Sequence, residues 1–519
     1  MNTDKRSTLT LFIAMLLIVA AGLFVSLDYI NEFPTHIHAW AEQDHYALSL
    51  GFLHNGFDFF HPETMIYNKQ FPGWWKEAYD TTITSAGFSI HEYVVALWMK
   101  IFGSDSPWVF RSWTLLIALA GLFFLFKICL QITQDAAKAL ITTGVAITSP
   151  ILAYYMSGFL PSIPAFSVCI VGIWCYLCYL DKNSKKQFHL SIAFLTLAML
   201  IRTTFAIALV AVLCFEMLRI LRKESPWLDK WPSVLLSVAS FILCSLWNRH
   251  LEQGHGTLFL NQLLPAESWQ DAKELLSEAY HTWTYHYFQR LHYWFFLALV
   301  ILAVAITFYL FITKKKQKDT VTKKHLSLWW LPIIQLFGCL LFTIAMMQQI
   351  EHHDYYFIDT FMLPLLLVFA LTLRAIPKPK NKYLVGTTYL VALFLLMVMV
   401  KNVTQTQESR RHWEHYTQHT YENFVDSDLL LDSLGIAKDA KILCLYGYPQ
   451  NGPFIQMKRK GFIVMEDKDE LLEAAINFPF DCAVIENEKY AIYHEKRPFL
   501  FSRLKKIGSN GKISVFLPT

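Results

Sequence analysis

Runs of apolar residues long enough to cross a bilayer are the feature that most constrains what this chain can fold into. Eleven apolar runs in the 519 residues are candidate spans. A helix needs roughly 20 residues to span the hydrocarbon core, and two of the runs are too short for that. The eleven runs lie near residues 9–27, 108–126, 139–157, 163–180, 188–201, 204–218, 232–247, 293–313, 327–347, 357–373 and 383–400. Only 17% of the residues are charged, against roughly 25% in soluble proteins. The sequence therefore predicts an all-α polytopic membrane protein with about eleven spans.

Lysine and arginine are concentrated in alternate connecting segments, and this pattern predicts the orientation. The basic segments are the N-terminus with Lys5 and Arg6, Lys127 with Lys138, DKNSKK, RILRKESPWLDK, KKKQKDTVTKK and RAIPKPKNK. The short connections SGFLPSIP and QQIEHHDYY carry no lysine or arginine. Because short cytoplasmic loops hold the positive charge, we expect a cytoplasmic N-terminus. Residues 29–107, 248–292 and everything after about 401 would then lie outside.

The apolar stretch 188–220 contains Arg202 near its middle. Read as one helix, it would be ~50 Å long at a rise of 1.5 Å per residue, and it would place the next basic segment outside. We therefore predict a hairpin of two short helices that meet near residues 201–204. Arg202 would be the one cation in that outer loop, beside backbone groups freed by the break. Two interpretations stay open, a functional cation and an arginine that reaches the headgroups.

Hydropathy divides the chain into a membrane-embedded domain, 1–400, a linker, 401–425, and a small α/β domain, 426–519. In the last domain short apolar strands alternate with helical pieces, as in AKILCLYG, KGFIVM, DELLEAAINF and FDCAVIE. A tight turn after a strand is predicted by Gly447, Pro449, Asn451 and Gly452. Cys444 and Cys482 lie in two predicted strands, where a disulfide and buried free thiols both stay open.

The first outer loop, 29–107, is too long for a simple connector and contains two stretches with helical spacing, 38–54 and 90–101. In the first stretch, HIHAWAEQDHYALSLGFLH, the face that carries Asp44 also carries Trp40, Ala47, Leu48 and Gly51. A carboxylate on an apolar face needs a partner or a task, because burying an unpaired charge costs several kcal/mol or shifts its pKa. Asp44 is therefore the first candidate site residue.

The layout and two sequence motifs resemble the GT-C glycosyltransferases, most of all the aminoarabinose and protein O-mannosyl transferases. The phrase AEQDHYALSLGFLHNG resembles the family's first-loop motif, in which an acid opens a helix containing Tyr and Ala. The segment IHEYVVALWMKIFGSDSPWVFRSW resembles the stretch that follows it. The resemblance covers most of residues 1–375. It implies a transferase of the bacterial inner membrane that uses polyprenyl-phosphate sugars and holds its C-terminal domain in the periplasm.

By this resemblance, Asp44 would be the general base that deprotonates the acceptor hydroxyl or amine, which then attacks the anomeric carbon opposite the lipid phosphate. The phosphate, as leaving group, needs mainly cations to hold its charge. Arg202 is the first candidate for that cation and Arg111 the second, because Arg binds phosphate bidentately. For Arg111 the favoured interpretation is an anchor that holds the 108–126 span at the interface.

Relatives often carry a second acid after the third span, where this chain reads SGFLPSIPA with Ser162 at the corresponding position. Either Glu92 or Asp354 would compensate, or one acid suffices. For Glu92 the favoured interpretation is a solvated helix charge.

The segment EHHDYYFID, residues 351–359, resembles a His-Asp-Tyr-Tyr motif of related membrane transferases. It supplies further candidates for binding sugar or phosphate: His352, His353, Asp354 and Tyr355. No cofactor is certain, but a divalent metal stays open, with candidate ligands His38, Asp44 and His353. A hydrogen-bonded headgroup contact is favoured over a metal.

These observations predict an inverting glycosyltransferase that moves a sugar from a polyprenyl-phosphate donor to a lipid, glycan or protein acceptor at the periplasmic face. The lipid bilayer is the other partner, and no basic patch with interleaved aromatics indicates nucleic acid. One alternative is a transporter or flippase of lipid-linked sugars, which would place charges deep in the spans. The other is a non-catalytic envelope-assembly subunit. Catalysis is favoured because the spans hold almost no acids apart from Glu216 and because Asp44 is present.

Overall fold

The computed structural model describes residues 2–260, 262–312, 328–376, 382–411 and 416–519. Within these ranges the chain is mostly helical, with one five-stranded sheet near the C-terminus. The chain divides into two compact units. The helical unit comprises Met1–Ile30, Arg111–Ile242 and Gln262–Ser409, and the sheet-containing unit comprises Asn31–Phe110, Leu243–Asn261 and Arg410–Thr519. The basic segment KKKQKDTVTKK and part of RAIPKPKNK, both used for the predicted orientation, lie outside the described residues.

Helices coincide with every predicted apolar run in the part of the chain that the structure describes. In chain order the α-helices are Asn2–Ser26, Ala39–His54, Ile90–Phe102, Pro107–Thr133, Ala136–Ile147, Pro150–Tyr155, Ser162–Lys182, Lys185–Ile201, Ala206–Leu221, Trp231–His255, Trp269–Tyr287, Arg290–Ile312, Trp330–Ala345, Met347–His352, Leu363–Ala375, Lys382–Arg411, Tyr416–Phe424, Ser427–Ser433, Gly452–Met457, Asp469–Ala475, Asn487–Lys496 and Pro498–Phe501. Short 3-10 helices occupy Leu27–Tyr29 and Thr203–Phe205, and a π-helix occupies Ile358–Met362.

Seven helical segments among the described residues are long and apolar enough to cross a membrane. They are Thr8–Tyr29, Pro107–Thr133, Ser162–Lys182, Thr203–Leu221, Trp231–His255, Ile358–Ala375 and Leu390–Arg411, and the shorter apolar helices Ala136–Ile147, Arg290–Leu302 and Trp330–Ala345 accompany them. Large apolar side chains are exposed along Trp231–His255, for example Leu235, Leu236 and Leu243. Such a surface suits lipid rather than water. The prediction of an all-α polytopic membrane protein is confirmed, while the count of eleven spans stays a prediction.

One predicted span, 139–157, is divided into two helices. Ala136–Ile147 ends at Thr148, and Pro150–Tyr155 begins after Ser149, whose ψ of 122° is extended. The residue before a proline is excluded from the helical region by contact with the proline ring. Pro150 therefore interrupts a run that hydropathy alone reads as continuous.

The predicted break in the 188–220 stretch is confirmed at Arg202. Helix Lys185–Ile201 ends there because Arg202 is extended, with φ −147° and ψ 111°, and the 3-10 turn Thr203–Phe205 leads into Ala206–Leu221. The Arg202 N–H still donates to the carbonyl of Ala198 at 2.9 Å. Arg202 thus lies at the junction of two helices of the helical unit.

The sheet of the second unit has the strand order β2-β1-β3-β5-β4, with β1 Ile442–Cys444, β2 Gly461–Ile463, β3 Cys482–Glu486, β4 Leu504–Ser509 and β5 Ile513–Pro518. Strands β1, β2 and β3 are parallel, whereas β5 pairs antiparallel with β3 and β4. The predicted α/β fold of this region is confirmed. Cys444 and Cys482 are buried free thiols on adjacent strands.

Residues of the first loop extend this sheet beyond β2. The Tyr67 N–H donates to the Gly461 carbonyl at 2.8 Å, and the Gly461 N–H donates to the Met65 carbonyl at 2.9 Å. The Asn68 side chain continues the pairing, because its oxygen accepts from the Ile463 N–H at 2.9 Å and its amide donates to the Ile463 carbonyl at 2.8 Å. The edge of the C-terminal sheet is therefore covered by a segment nearly 400 residues earlier in the chain.

The two predicted helices of the first loop are present as Ala39–His54 and Ile90–Phe102. The first of them ends at His54, and Gly56 then adopts the left-handed φ of 76° that glycine tolerates best. Within Ala39–His54, an added Cβ at Gly51 would lie 1.9 Å from the Glu63 carbonyl oxygen. Glycine is therefore required there for the 63–67 segment to pack against the helix.

Candidate functional site

Asp44 lies in the middle of helix Ala39–His54 with only 1% of its surface exposed. The Asn451 Nδ2 donates to its Oδ1 at 2.7 Å, and the Gln450 Nε2 donates to its Oδ2 at 3.1 Å. The side chain of Trp40, one helical turn earlier, also hydrogen-bonds the carboxylate. Both carboxylate oxygens are thus held by neutral donors, two of which come from the turn after β1.

Two further hydrogen bonds fix which way the Gln450 and Asn451 amides point. The Trp75 Nε1 donates to the Gln450 oxygen at 2.9 Å, and the Met65 N–H donates to the Asn451 oxygen at 3.1 Å. Because both donors require an oxygen, the NH₂ end of each amide is left to face Asp44. The site is a connected network of donors aimed at one carboxylate.

Burial raises the pKa of Asp44 from its ordinary value of 3.8 to about 7. The hydrogen bonds from Asn451, Gln450 and Trp40 act in the opposite direction, because they stabilise the ionised form, but they do not offset the loss of hydration. A carboxylate whose pKa lies near neutral pH is ionised often enough to accept a proton and basic enough to retain it.

Glu92, a second buried carboxylate of this unit, lies on the neighbouring helix Ile90–Phe102 and is 3% exposed. Its Oε1 lies 2.7 Å from the Nδ1 of His45. Burial alone would raise the pKa of Glu92, but the hydrogen bond and charge of His45 outweigh it and hold that pKa below its ordinary value. The prediction of a solvated helix charge is therefore wrong, because Glu92 is buried and its contact with His45 links the two helices.

Arg202, the first candidate for the phosphate-binding cation, is bound by a carboxylate in the helical unit. Its Nε donates to the Asp359 Oδ2 at 2.7 Å, and its guanidinium carbon lies 4.9 Å from the ring centre of Tyr355 and 5.4 Å from that of Tyr356. One fifth of the Arg202 side chain remains exposed, whereas Asp359 is buried. The structure thus brings Tyr355 and Arg202 together and adds Asp359, which the sequence reading did not single out.

Arg111, the second candidate cation, is 4% exposed. Its Nη1 donates to the Ser157 carbonyl at 2.9 Å, and its guanidinium lies 4.7 Å from the ring centre of Phe159. These contacts hold the 157–159 connection against the start of helix Pro107–Thr133.

The 351–359 segment forms the end of helix Met347–His352, a turn and the start of the π-helix Ile358–Met362. Asp354 is fully buried and accepts a hydrogen bond of 2.7 Å from the Tyr155 hydroxyl. The His353 Nδ1 lies 3.1 Å from the Gln349 carbonyl, while His352 packs its ring beside that of His353. Single-turn π-helical segments are rare and often lie at functional sites, and this one contains Asp359.

The structure shows no cluster of candidate metal ligands in the described ranges. No group of three or more His, Cys, Asp or Glu side chains lies close enough to hold an ion among those residues. His38 lies at the N-terminal end of helix Ala39–His54 in the left-handed conformation, with φ 58°. Within the described ranges the structure therefore gives no support to a metal site built from His38, Asp44 and His353.

The residues that sequence reasoning missed are Gln450, Asn451 and Asp359. Asn451 was part of a predicted tight turn after a strand, and loops at the carboxyl ends of parallel strands commonly carry binding residues. That rule would have marked Gln450 and Asn451 as candidates, although not as partners of Asp44. Asp359 is the last residue of EHHDYYFID, but the resemblance of that segment marked only residues 352–355.

Comparisons with known proteins bear on the fold. A family model for dolichyl-phosphate-mannose-protein mannosyltransferase matches residues 89–247. No curated protein sequence matches the chain.

Solved structures match over nearly the whole chain. One is ArnT from Cupriavidus metallidurans in the apo state, with 10% identity and a TM-score of 0.50 over 99% of this chain and 98% of that one. Another is the Archaeoglobus fulgidus oligosaccharyltransferase in the apo form, with 12% identity and a TM-score of 0.52 over 98% and 74%. A third is the arabinofuranosyltransferase AftD from Mycobacteria, with 12% identity and a TM-score of 0.54, of which this chain covers 40%.

These findings confirm the resemblance expected from the sequence. The chain has the GT-C fold of membrane glycosyltransferases, and residues 89–247 carry the sequence pattern of the protein mannosyltransferase family.

Proposed function

We propose that this protein is an inverting glycosyltransferase of the bacterial inner membrane, which takes a sugar from a polyprenyl-phosphate donor on the periplasmic side. The acceptor is a lipid, a glycan or a protein. The observation that carries the proposal is Asp44, a buried carboxylate with a pKa of about 7 whose hydrogen-bond partners are neutral. Such a group has the properties of a general base at neutral pH.

In this proposal Asp44 accepts the proton from the acceptor hydroxyl or amine as the acceptor oxygen or nitrogen bonds to the anomeric carbon. The bond from that carbon to the phosphate oxygen breaks on the opposite face, which inverts the configuration.

Arg202 is proposed to bind the phosphate of the donor. The Nε of Arg202 donates to Asp359, and one fifth of the Arg202 side chain is exposed. Arg presents five N–H donors in a planar fork, and a single carboxylate oxygen does not use them all. Asp359 and the rings of Tyr355 and Tyr356 would hold the guanidinium in place.

The likeness to lipid-dependent glycosyltransferases supports the choice of donor. The archaeal oligosaccharyltransferase AglB from Archaeoglobus fulgidus, similar to this chain with a TM-score of 0.51 and 10% identity, has a structure in complex with an inhibitory peptide and a dolichol-phosphate. A polyprenyl-phosphate donor and a peptide acceptor are the corresponding ligands for this chain.

The proposal is tested by transfer from a panel of radiolabelled undecaprenyl-phosphate sugars, with the purified full-length protein in detergent and a membrane extract as acceptor. We expect label in a lipid, glycan or protein fraction with wild type and at most about 1% of that label with Asp44→Asn. Asp58→Asn is the matched control, because Asp58 is in the same loop with half its side chain exposed. Full transfer by Asp44→Asn would refute the proposed base. Binding of the carrier without transfer would favour a flippase or an assembly subunit.

A further inference from the structure

The turn after β1, residues 446–453, reaches from the C-terminal sheet to the helix that carries Asp44. It is held by contacts on three sides. The Tyr448 N–H donates to the Thr420 hydroxyl at 3.3 Å, the Trp40 ring packs edge-on against Tyr448 with centres 5.1 Å apart, and Trp75 and Met65 bind the two amides. Gln450 and Asn451 are both fully buried.

We infer that Gln450 and Asn451 are positioning residues of the proposed transferase: the C-terminal domain supplies the two amides that orient the Asp44 carboxylate for proton transfer. This inference rests on the proposed function and gives the C-terminal domain a direct part in it. Neither amide touches the reacting atoms, because each acts through Asp44.

Three features distinguish this arrangement from ordinary packing. Each amide donates to Asp44 while its own oxygen is occupied by a donor from the first loop, so neither amide can turn without losing two hydrogen bonds. Both donors are neutral, so they orient the carboxylate without removing its basicity as a lysine or arginine would. The titratable side chain that faces Asp44 from the turn is Tyr448, and burial together with the Asp44 charge raises its pKa to about 12. Tyr448 is therefore neutral at the pH where Asp44 titrates.

The site also contains an unsatisfied group beside this turn. The Gln43 amide nitrogen donates to the Pro34 carbonyl at 2.7 Å, but its buried Oε1 has no hydrogen-bond partner among the described residues. A Cβ at Gly452 would lie 2.3 Å from that oxygen, so the turn passes directly over it. The turn therefore packs against the helix that carries Asp44 at Gln43 as well as at Trp40.

The first test measures the protonation of Asp44 without substrate. A hydrophobic carbodiimide attacks protonated carboxyl groups, so the pH at half-maximal labelling of Asp44, read by peptide mass spectrometry of the full-length protein, reports its pKa. Gln450→Met keeps the side-chain volume and removes the donor. Because a hydrogen bond to the charged form lowers a pKa, we expect the midpoint to rise by roughly one pH unit, a tenfold change in the ionised fraction below neutral pH.

The control is Thr420→Val, which loosens the same turn at Tyr448 without removing a donor from Asp44. Its labelling midpoint should equal that of wild type. Equal midpoints in wild type and Gln450→Met would overturn the inference. Asn451→Leu should give a larger shift than Gln450→Met, since the Asn451 bond is shorter. Asn451→Leu also frees the Met65 N–H and can fail to fold, in which case Gln450→Met decides alone.

The second test uses the undecaprenyl-phosphate sugar that is transferred in the panel. The acid limb of the pH profile of kcat/KM reports the pKa of a group of the free enzyme. In Gln450→Met this limb should therefore move to higher pH by the same amount as the labelling midpoint. A uniform loss of activity with an unmoved acid limb would show a merely structural role for Gln450. Full transfer by Asp44→Asn would instead refute the base itself, whatever the labelling midpoints are.

Discussion

Asp44 and Glu92 are two buried carboxylates on neighbouring helices of one unit, and their environments give them opposite properties. Asp44 is 1% exposed and Glu92 is 3% exposed, so the loss of hydration is similar. The difference is the partner, since Asp44 meets neutral amides whereas Glu92 meets an imidazole that can carry charge. The pKa of Asp44 is raised to about 7, while that of Glu92 is lowered. The hydrogen-bond partner, rather than burial, separates the candidate base from the structural pair.

The largest expected effect is the loss of transfer activity when Asp44 is replaced, and replacement of Glu92 is the comparison. Asp44→Asn should lower kcat/KM for transfer by roughly 10²- to 10⁴-fold, the range that general-base catalysis contributes. Glu92→Gln should lower it by less than about tenfold, because Glu92 supports the helices and not the reaction. The measurement is initial-rate transfer at pH 8 with folded, full-length protein. Equal losses of kcat/KM in the two variants would show that Asp44 and Glu92 do not differ in their contribution to transfer.

The pH dependence of stability should have opposite signs for the two groups. The folded-state pKa of Asp44 is raised, so its contribution to stability is present below pH 3.8 and is lost as pH rises through about 7, an effect of up to roughly 4 kcal/mol. The folded-state pKa of Glu92 is lowered, so its contribution is present above pH 4.5 and is lost as pH falls through the folded-state pKa.

Thermal unfolding of wild type between pH 5 and pH 8 checks this prediction. Stability should fall with rising pH in wild type, and the slope should be shallower in Asp44→Asn. Glu92→Gln should keep the wild-type slope over this range, since Glu92 titrates below it. A slope unchanged by Asp44→Asn would show that Asp44 does not titrate near neutral pH.

Breaking the His45–Glu92 pair should have a moderate effect on stability. Glu92→Gln replaces a charge-assisted hydrogen bond by a neutral one and should cost about 1–3 kcal/mol. The apparent Tm in detergent should fall, whereas Glu470→Gln, which removes an exposed partner of Lys76, should leave it unchanged. A Tm that is the same in both variants would mean that the buried pair does not join the two helices.

Trp75→Phe should have the smallest effect. It keeps the packed ring but removes the N–H that orients the Gln450 amide. We expect a loss of about 1 kcal/mol in stability and a rise in the Asp44 labelling midpoint that is smaller than in Gln450→Met. A midpoint that falls would contradict the orienting role of Trp75.

Local patterns in the sequence identified much of this structure. Apolar runs marked the helices, the length of the 188–220 stretch placed the break at Arg202, and helical spacing marked Asp44 as unusual. In each case the signal lies within one or two turns of helix or within the span of a bilayer.

The partners of the candidate residues were not predictable in the same way. Asn451 lies 407 positions from Asp44 and Asp359 lies 157 positions from Arg202. Such pairings are set by tertiary packing and leave no periodic signal in one sequence. The burial of Glu92 was not predicted for the same reason. An acid on a short helix is usually solvated, and its partner His45 lies on another helix.

The pairing of the 65–68 segment with β2 has a consequence for biosynthesis. Met65 and Tyr67 are made early, but their hydrogen-bond partner Gly461 is made almost 400 residues later. At a synthesis rate of roughly 5–20 residues per second, this strand segment waits for about 20–80 s with its backbone groups unpaired. During that interval the nascent first loop is a template for incorrect strand pairing. Completion of the C-terminal sheet is therefore the event that ends this exposure and finishes the fold of the loop that carries Asp44.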